Sequence, residues 1–340
     1  MDEAGLIEAV AALLARSGLG TGGLRIEACA AGGNNRVHRV YAGGRSFAAK
    51  RYVRRAADAR DRLATEFAFL AFARSAGIEC VPAPIARDDD NGIGLYEFVE
   101  GRRLEPGEIG AARVDEARDF FLQLNRTGAR ALAASLTEAA EARFSIAGHI
   151  ELLQARIERL ARIPAASPVD EQALAFAAEL RLGCSALRER VLAEAASHGL
   201  DPQALLPPSE RCVSPSDFGF HNAILTPGGK IVFVDFEYAG WDDPAKAVSD
   251  FFSQPALPVP AEYFEGFLAS AAGFVSASDR LVRRTRLLLP VFRLKWCCIV
   301  MNVFLPAFAQ RSAADPDAGA GIRKQEQLDK ARQIFRTVGT

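Results

Sequence analysis

The chain has 340 residues, 49% of them hydrophobic, and its 41 Lys and Arg against 42 Asp and Glu leave a formal net charge of −1. That length supports a large core or two lobes, and the balanced charge offers no global field for nucleic acid or an anionic membrane. The six cysteines include no C-x-x-C pair and the four histidines are scattered, so a zinc site or disulfide framework is not expected, and the thiols suit a reducing cytoplasm.

The first stretch, "MDEAGLIEAVAALLARSGLG", starts acidic and repeats its apolar residues at helical spacing, unlike the basic start and unbroken apolar run of a signal peptide. "LRIEACA", "RVHRVY" and "SFAAKRYV" alternate as strands, joined by the turns "AGGNN" and "AGG". "DARDRLATEFAFLAFARSAG" reads as a helix with Gly77 as its C-terminal cap, and "VPAPIARDDDNGIGLYEFVEG" as two more strands around a D-N-G turn. From about Ala111 the pattern is long and helical, with breaks near Pro164, Pro168 and Pro207–Pro208. Strand character returns in "RCVSPSDFGFHNAILTPGGKIVFVDFE", after which helices run to the end.

The apolar run from Leu287 to Ala309 carries Arg293 and Lys295 near its middle. Two such charges would each cost about 3 kcal/mol on insertion scales, so a buried core helix is expected in place of a membrane span. Adjacent Cys297 and Cys298 read as buried thiols within it. The layout is a small β-rich lobe, residues 1–100, followed by a large α-rich lobe, residues 101–340, with one embedded hairpin.

In phosphoryl transfer a protein chiefly positions two substrates and neutralises developing charge. One aspartate accepts the acceptor's hydroxyl proton, an asparagine five residues on binds metal, and a second aspartate past a hairpin binds metal again. Asp217 and Asn222 have that offset, and Asp235 follows at the end of the apolar strand "KIVFVDFE". The letters D-F-G at Asp217 to Gly219 suggest the opposite assignment, with Asp217 as the metal aspartate. That reading fails because the aspartate upstream, Asp201, has Leu206 five residues on.

Further parts follow in the expected order. Gly32, Gly33, Asn34 and Asn35 form a turn whose N–H groups suit phosphates. Lys50, in the third strand, is placed to reach the α- and β-phosphates, and Glu66, in the next helix, to pair with it. The extended backbone from Glu97 to Val99 suits an adenine edge.

With these residues in hand, the chain resembles the aminoglycoside phosphotransferase and choline kinase family, small-molecule relatives of the protein kinases. The likeness runs from about Gly32 to Asp250 and is densest in "GGNNRVHRVYAGGRSFAAKRY", "LYEFVEG", "SDFGFHNAIL" and "VFVDFEYAGWDDPAK". It implies an α+β, bilobal protein-kinase-like fold and the use of ATP. By the same analogy Lys50 and Glu66 form the nucleotide-orienting ion pair, Asp217 is the catalytic base, and Asn222 and Asp235 bind magnesium.

The sequence departs from the family at two places. Pro215-Ser216-Asp217 stands where the family carries His-Gly-Asp, and Ala247 stands where an aspartate is expected, with Asp250 nearby. No A-P-E element or long activation segment follows Asp235, which argues against a protein-kinase role. The expected partner is a small-molecule acceptor such as an amino alcohol, sugar or aminoglycoside. The alternative is a pseudokinase that binds nucleotide without transferring phosphate.

Glu237, Trp241 and Asp242 are either a wall for a cationic amine or sugar, or packing residues around a helix that Asp243 caps at Pro244. Phe218 and Phe220 are either packing residues or a face for a ring. The arginines at 51, 54, 55, 60 and 62, and Arg283, Arg284 and Arg286, read as solvated helix faces.

Overall fold

The structure is a computed structural model and describes residues 3–29, 35–53, 60–275, 277–306, 308 and 320–339. The chain packs into two compact units. The first is Met1–Glu108 with Asp115–Ala140 and Val213–Trp241, and the second is Ile109–Val114 with Glu141–Cys212 and Asp242–Thr340. Packing therefore divides the chain differently from a single cut at residue 100. The reason is aromatic: Phe233 stacks on Phe120 at 4.7 Å and Phe236 on Phe69 at 4.6 Å, which draws later segments into the first unit.

In the first unit, helix α1 (Glu3–Arg16) precedes strands β1 (Arg25–Ala28), β2 (Asn35–Ala42) and β3 (Arg45–Tyr52). Helix α2 (Arg62–Ser75) then leads to β4 (Pro84–Asp88) and β5 (Ile93–Glu97). The five strands form an antiparallel sheet in the order β1-β2-β3-β5-β4. Alternation sorts its residues by face. Val40, Phe47, Ala49, Ile93 and Leu95 pack with Leu6, Val10, Leu13 and Leu14 of α1. Lys50, Tyr52, Gly94 and Tyr96 belong to the other face. Asp61 caps α2 by accepting from Ala64 N at 2.9 Å, and Gly77, at φ 74, turns the chain away just past its end.

A short strand β6 (Arg102–Arg103) and helices α3 (Ala111–Asn125), α4 (Thr127–Leu132), α5 (Ile146–Leu160) and α6 (Pro168–Ser197) follow. Strands β7 (Cys212–Ser214), β8 (Ala223–Leu225), β9 (Ile231–Phe233) and β10 (Gly240–Asp242) come next. β8 and β9 make the expected hairpin, and β6 adds to its edge.

The second unit is helical. To α5 and α6 it adds α7 (Pro244–Ser253), α8 (Phe264–Ala272), α9 (Ser278–Val300) and α10 (Ala320–Arg336). Serine or aspartate caps start α5, α6 and α7, the last with Asp243 accepting from Ala245 N at 2.8 Å ahead of Pro244. The segment Ser278–Phe304 is long and apolar enough to cross a membrane, yet 61% of its apolar window is buried inside the protein. Its Lys295 is buried on Asp250 at 2.7 Å, and Cys297 and Cys298 are buried as expected. Burial pushes the Cys298 thiol up to about 12. Arg284 corrects the reading of a solvated arginine face: it is buried, with Nη2 at 2.5 Å from Asp243, whereas Arg283 and Arg286 are exposed.

Candidate active site

Every described residue of the candidate site lies in the first unit. Lys50 on β3 is only 7% exposed, and its Nζ donates to Glu66 Oε2 of α2 at 2.7 Å and to Asp235 Oδ1 at 2.5 Å. Burial alone would lower the lysine's pKa. The carboxylates of Glu66, Asp235 and Glu237 outweigh it and hold the ammonium above the usual lysine range. Burial raises the Glu66 carboxyl, against the pull of Lys50. A second donor reaches the same Glu66 oxygen: the Tyr52 hydroxyl, at 2.6 Å, which is itself 2.8 Å from that of Tyr96.

The loop around Asp217 is built without the family's histidine. Asn125 first fixes β7 as a neighbouring strand would: its Nδ2 donates to Val213 O at 3.0 Å and its Oδ1 accepts from Val213 N at 2.8 Å. Ser214 Oγ then accepts from Ser216 N at 3.0 Å, and Asp217 N donates back to Pro215 O at 2.9 Å across Ser216, at φ 66. This three-residue turn around a positive φ is strained for a serine and is held by those bonds.

Asp217 keeps about a third of its side chain exposed (34%). Asn222 Nδ2 donates to its backbone O at 3.0 Å and to Oδ2 at 3.2 Å, and His221 Nε2 lies 3.2 Å from Oδ1. Phe218 and Phe220 are buried packing residues, Phe218 against Phe120, Phe121 and Phe233.

The hairpin brings Asn222 beside Asp235, because Val234 N donates to Asn222 O at 2.8 Å. Asp235 sits at φ 69, a region that aspartate tolerates better than most residues, with its side chain half exposed. The chain then turns Glu237 inward. This carboxylate is 2% exposed, accepts from Asn35 Nδ2 at 2.5 Å and lies 4.0 Å from the Arg62 guanidinium.

Glu237 is therefore not an acceptor-facing wall. It is a member of the lysine cluster that sequence reasoning missed, although its two-residue offset from Asp235 was visible. Asp242 leaves the wall too, being fully buried on Lys246 at 2.6 Å. Trp241 is half-buried and donates through Nε1 to Ala133 O at 3.0 Å.

The donor set suits a hard cation. Oxygens of Glu66, Asp235 and Glu237 all lie within 4.8 Å of one another. Beside them Asn35 Oδ1 is buried with no hydrogen-bond partner, and oxygen-only donors of this kind fit magnesium.

Among the remaining expected residues, Gly32, Gly33 and Asn34 lie outside the described residues. Glu97 closes β5 and Val99 follows it. The Glu97 N–H is committed to Ala83 O at 2.8 Å, and its carboxylate accepts from Ala83 N at 3.0 Å.

Residues 25–277 match the model of the phosphotransferase enzyme family. No curated protein matches the sequence significantly. Among solved structures, the fold is similar to spectinomycin phosphotransferase in complex with ADP and spectinomycin, with TM-score 0.61 and 10% identity over 100% of this chain and 99% of that one. It is similar to an ethanolamine kinase from Plasmodium vivax, with TM-score 0.58 and 14% identity over 93% of this chain and 83% of that one. It is similar also to the choline kinase LicA from Streptococcus pneumoniae, with TM-score 0.54 and 16% identity over 96% and 99%. At such identities the likeness is one of fold: an α+β, protein-kinase-like architecture with a small antiparallel sheet and a helical majority.

Proposed function

The chain belongs to the phosphotransferase enzyme family, and on that premise we propose that it transfers the γ-phosphoryl group of ATP, with magnesium, to a hydroxyl of a small metabolite in the cytoplasm. The observation that carries this reading is the joining of Lys50 and Glu66, on consecutive elements, with Asp235, 185 residues on from Lys50, beside a loop that presents Asp217 and Asn222. Buried lysines also pair with carboxylates elsewhere in the chain, Lys246 with Asp242 and Lys295 with Asp250. The Lys50 cluster differs in that its partner Asp235 stays half exposed, next to the loop of Asp217 and Asn222.

In this reading Lys50, kept cationic by its neighbours, holds the α- and β-phosphates, and Glu66 fixes its direction. Gly32, Gly33 and Asn34 would offer backbone N–H groups to the phosphates, and the segment Glu97 to Val99 would serve the adenine edge. Residues 1–100 thus serve the nucleotide, and residues 101–340 serve catalysis and the acceptor. Asp217 accepts the acceptor's hydroxyl proton, with Asn222 and His221 fixing its carboxylate. Asn222 and Asp235 would hold magnesium, with Glu237 joining them. Magnesium, when bound, neutralises charge on the transferred phosphoryl group. Amino alcohols, sugars and aminoglycosides are the acceptor classes to try.

A nucleotide-binding pseudokinase is the competing reading, motivated by Pro215 in place of the loop histidine. The bonds from Ser214, Ser216 and Asn125 supply a scaffold of another kind and favour transfer. Thermal melting with ATP, in magnesium and in EDTA, tests the first half of the proposal. A hundredfold excess over Kd is expected to stabilise by about 2.7 kcal/mol, and only with the metal. A screen of ATP consumption across hydroxylated metabolites tests the second. Absence of a magnesium-dependent shift overturns the proposal, and binding without consumption of ATP by any acceptor favours the pseudokinase.

A further inference from the structure

Tyr52 lies two residues beyond Lys50 on β3 and so shares its face of the sheet. Its hydroxyl meets Glu66 Oε2 at 2.6 Å, the same oxygen that receives Lys50 Nζ at 2.7 Å. A carboxylate only accepts, so the single phenolic hydrogen of Tyr52 goes to Glu66. The 2.8 Å contact with Tyr96 is then made by the Tyr96 hydroxyl donating to the Tyr52 oxygen. The result is a directed chain: Tyr96 to Tyr52, Tyr52 to Glu66, with Lys50 donating both to Glu66 and to Asp235.

Tyr52 and Tyr96 are almost wholly buried. Burial, then the charge of Glu66, raises both phenols well above their ordinary range, so they keep their hydrogens. The two donors on Glu66 differ in freedom. Lys50 has three hydrogens and at least two carboxylates to serve, and in the proposed reaction it also serves phosphates. Tyr52 has one hydrogen and one acceptor.

We propose that Tyr52 is a positioning residue of this site, one that fixes Glu66 in front of Lys50 so that the ammonium keeps its place when its hydrogens are shared with a nucleotide. The inference rests on the phosphotransferase reading above.

Tyr52→Phe keeps the ring and removes only the donor. Magnesium–ATP affinity by calorimetry, with melting temperature alongside, is to be measured for the wild type, Tyr52→Phe, Glu66→Gln, the double variant and Tyr96→Phe. Tyr52→Phe is expected to weaken binding several-fold, up to about tenfold, through lost preorganisation of Glu66, the bond itself being present with and without nucleotide. The double variant should bind no more weakly than Glu66→Gln alone, because Tyr52 acts through Glu66. Tyr96→Phe leaves the Tyr52–Glu66 bond in place and should stay within about twofold.

A purely structural tyrosine would lower the melting temperature and leave nucleotide affinity unchanged. That outcome overturns the inference, as does a double variant in which the two losses multiply. A wild type that binds no magnesium–ATP overturns the phosphotransferase reading and the inference with it. A wild type that binds beside an unaffected Tyr52→Phe overturns the inference alone.

Discussion

Gly94 stands directly opposite Lys50 in the pairing of β5 with β3, and the hydroxyl of Tyr96 occupies the space that a side chain at Gly94 would fill. A Cβ built there would lie 2.3 Å from the Tyr96 oxygen, far inside contact distance. The glycine is needed for room, since a buried tyrosine folds back beside it. Gly94→Ala is therefore expected to destabilise the protein by about 1–3 kcal/mol through overpacking. Urea unfolding checks this, and an unchanged midpoint would show that Tyr96 can be moved at no cost.

Lys50 is the sole lysine in the first two hundred residues, so no neighbour in that stretch substitutes for it. Lys50→Ala leaves Glu66, Asp235 and Glu237 facing one another without their shared cation. Removing one partner of a buried pair typically costs about 3–5 kcal/mol, a loss that a folded protein with the remaining Tyr52–Glu66 bond is expected to survive. Magnesium–ATP affinity should fall sharply, by roughly tenfold or more. Unchanged nucleotide binding in a folded Lys50→Ala protein would remove Lys50 from the site.

Asp217 and Asp235 separate by what each loses. Asp217→Asn retains a group that can bond Asn222 and leaves Asp235 untouched, so magnesium–ATP should still bind while phosphoryl transfer falls by ~100-fold or more. Asp235→Asn tolerates the same backbone at φ 69 but gives up a charged oxygen, so metal-dependent nucleotide binding itself should weaken. Calorimetry with ATP in magnesium and in EDTA distinguishes the variants. The reverse pattern would make Asp217 the metal ligand.

The second unit carries a pH dependence of its own. His149 is buried edge-on to Phe292, its Nε2 bonds Asp243 Oδ2 at 3.0 Å, and its Nδ1 is buried without a partner. Burial lowers its pKa, with Asp243 opposing and Arg284 adding to the fall. The unfolded chain therefore binds this proton more tightly than the folded one. The contribution is whole above the ordinary value of 6.5 and is lost as pH falls through the lower folded value.

Asp242 works in the other direction. Burial pushes its carboxyl up to about 6 against the pull of Lys246, so its contribution grows as pH falls from there towards 3.8. The two are separated by difference. His149→Gln can still donate to Asp243 but no longer titrates, so between pH 7 and pH 5 it should lose less stability than the wild type. Urea unfolding of both proteins at the two pH values reads the difference directly. Equal losses would exclude His149 as the source.

Local pattern reveals what local physics decides. Alternation placed Lys50 in a strand, helical spacing placed Glu66 in the next element, and the offset from Asp217 to Asn222 with the hairpin beyond it located Asp235. Tyr52 was within reach of the same logic, being two positions from Lys50 on one face, but a strand tyrosine looks like any core residue until its hydroxyl has a partner. Glu237 was hidden for a different reason. The positive φ at Asp235 turns the chain, and the partner of Glu237, Asn35, is 202 residues away in sequence. Arg284 was misread because a charged triplet on a helix resembles a solvated face, while Asp243, 41 residues earlier, takes it into the interior. The division of the chain into units turned on phenylalanine contacts between segments that no composition shift links.

The bond from Lys50 to Asp235 closes a loop of 185 residues, and the segment Val213–Trp241 is the last part of the first unit to be synthesised. At a translation rate of roughly 5–20 residues per second, the sheet, complete at Glu97, leaves the ribosome about seven to thirty seconds before Asp235 does. Through that interval Phe69 and Phe120 lack Phe236 and Phe233, the rings that later stack on them. A nascent chain stalled short of residue 233 therefore presents an unfinished aromatic face, the kind of surface that chaperones hold and that aggregation exploits.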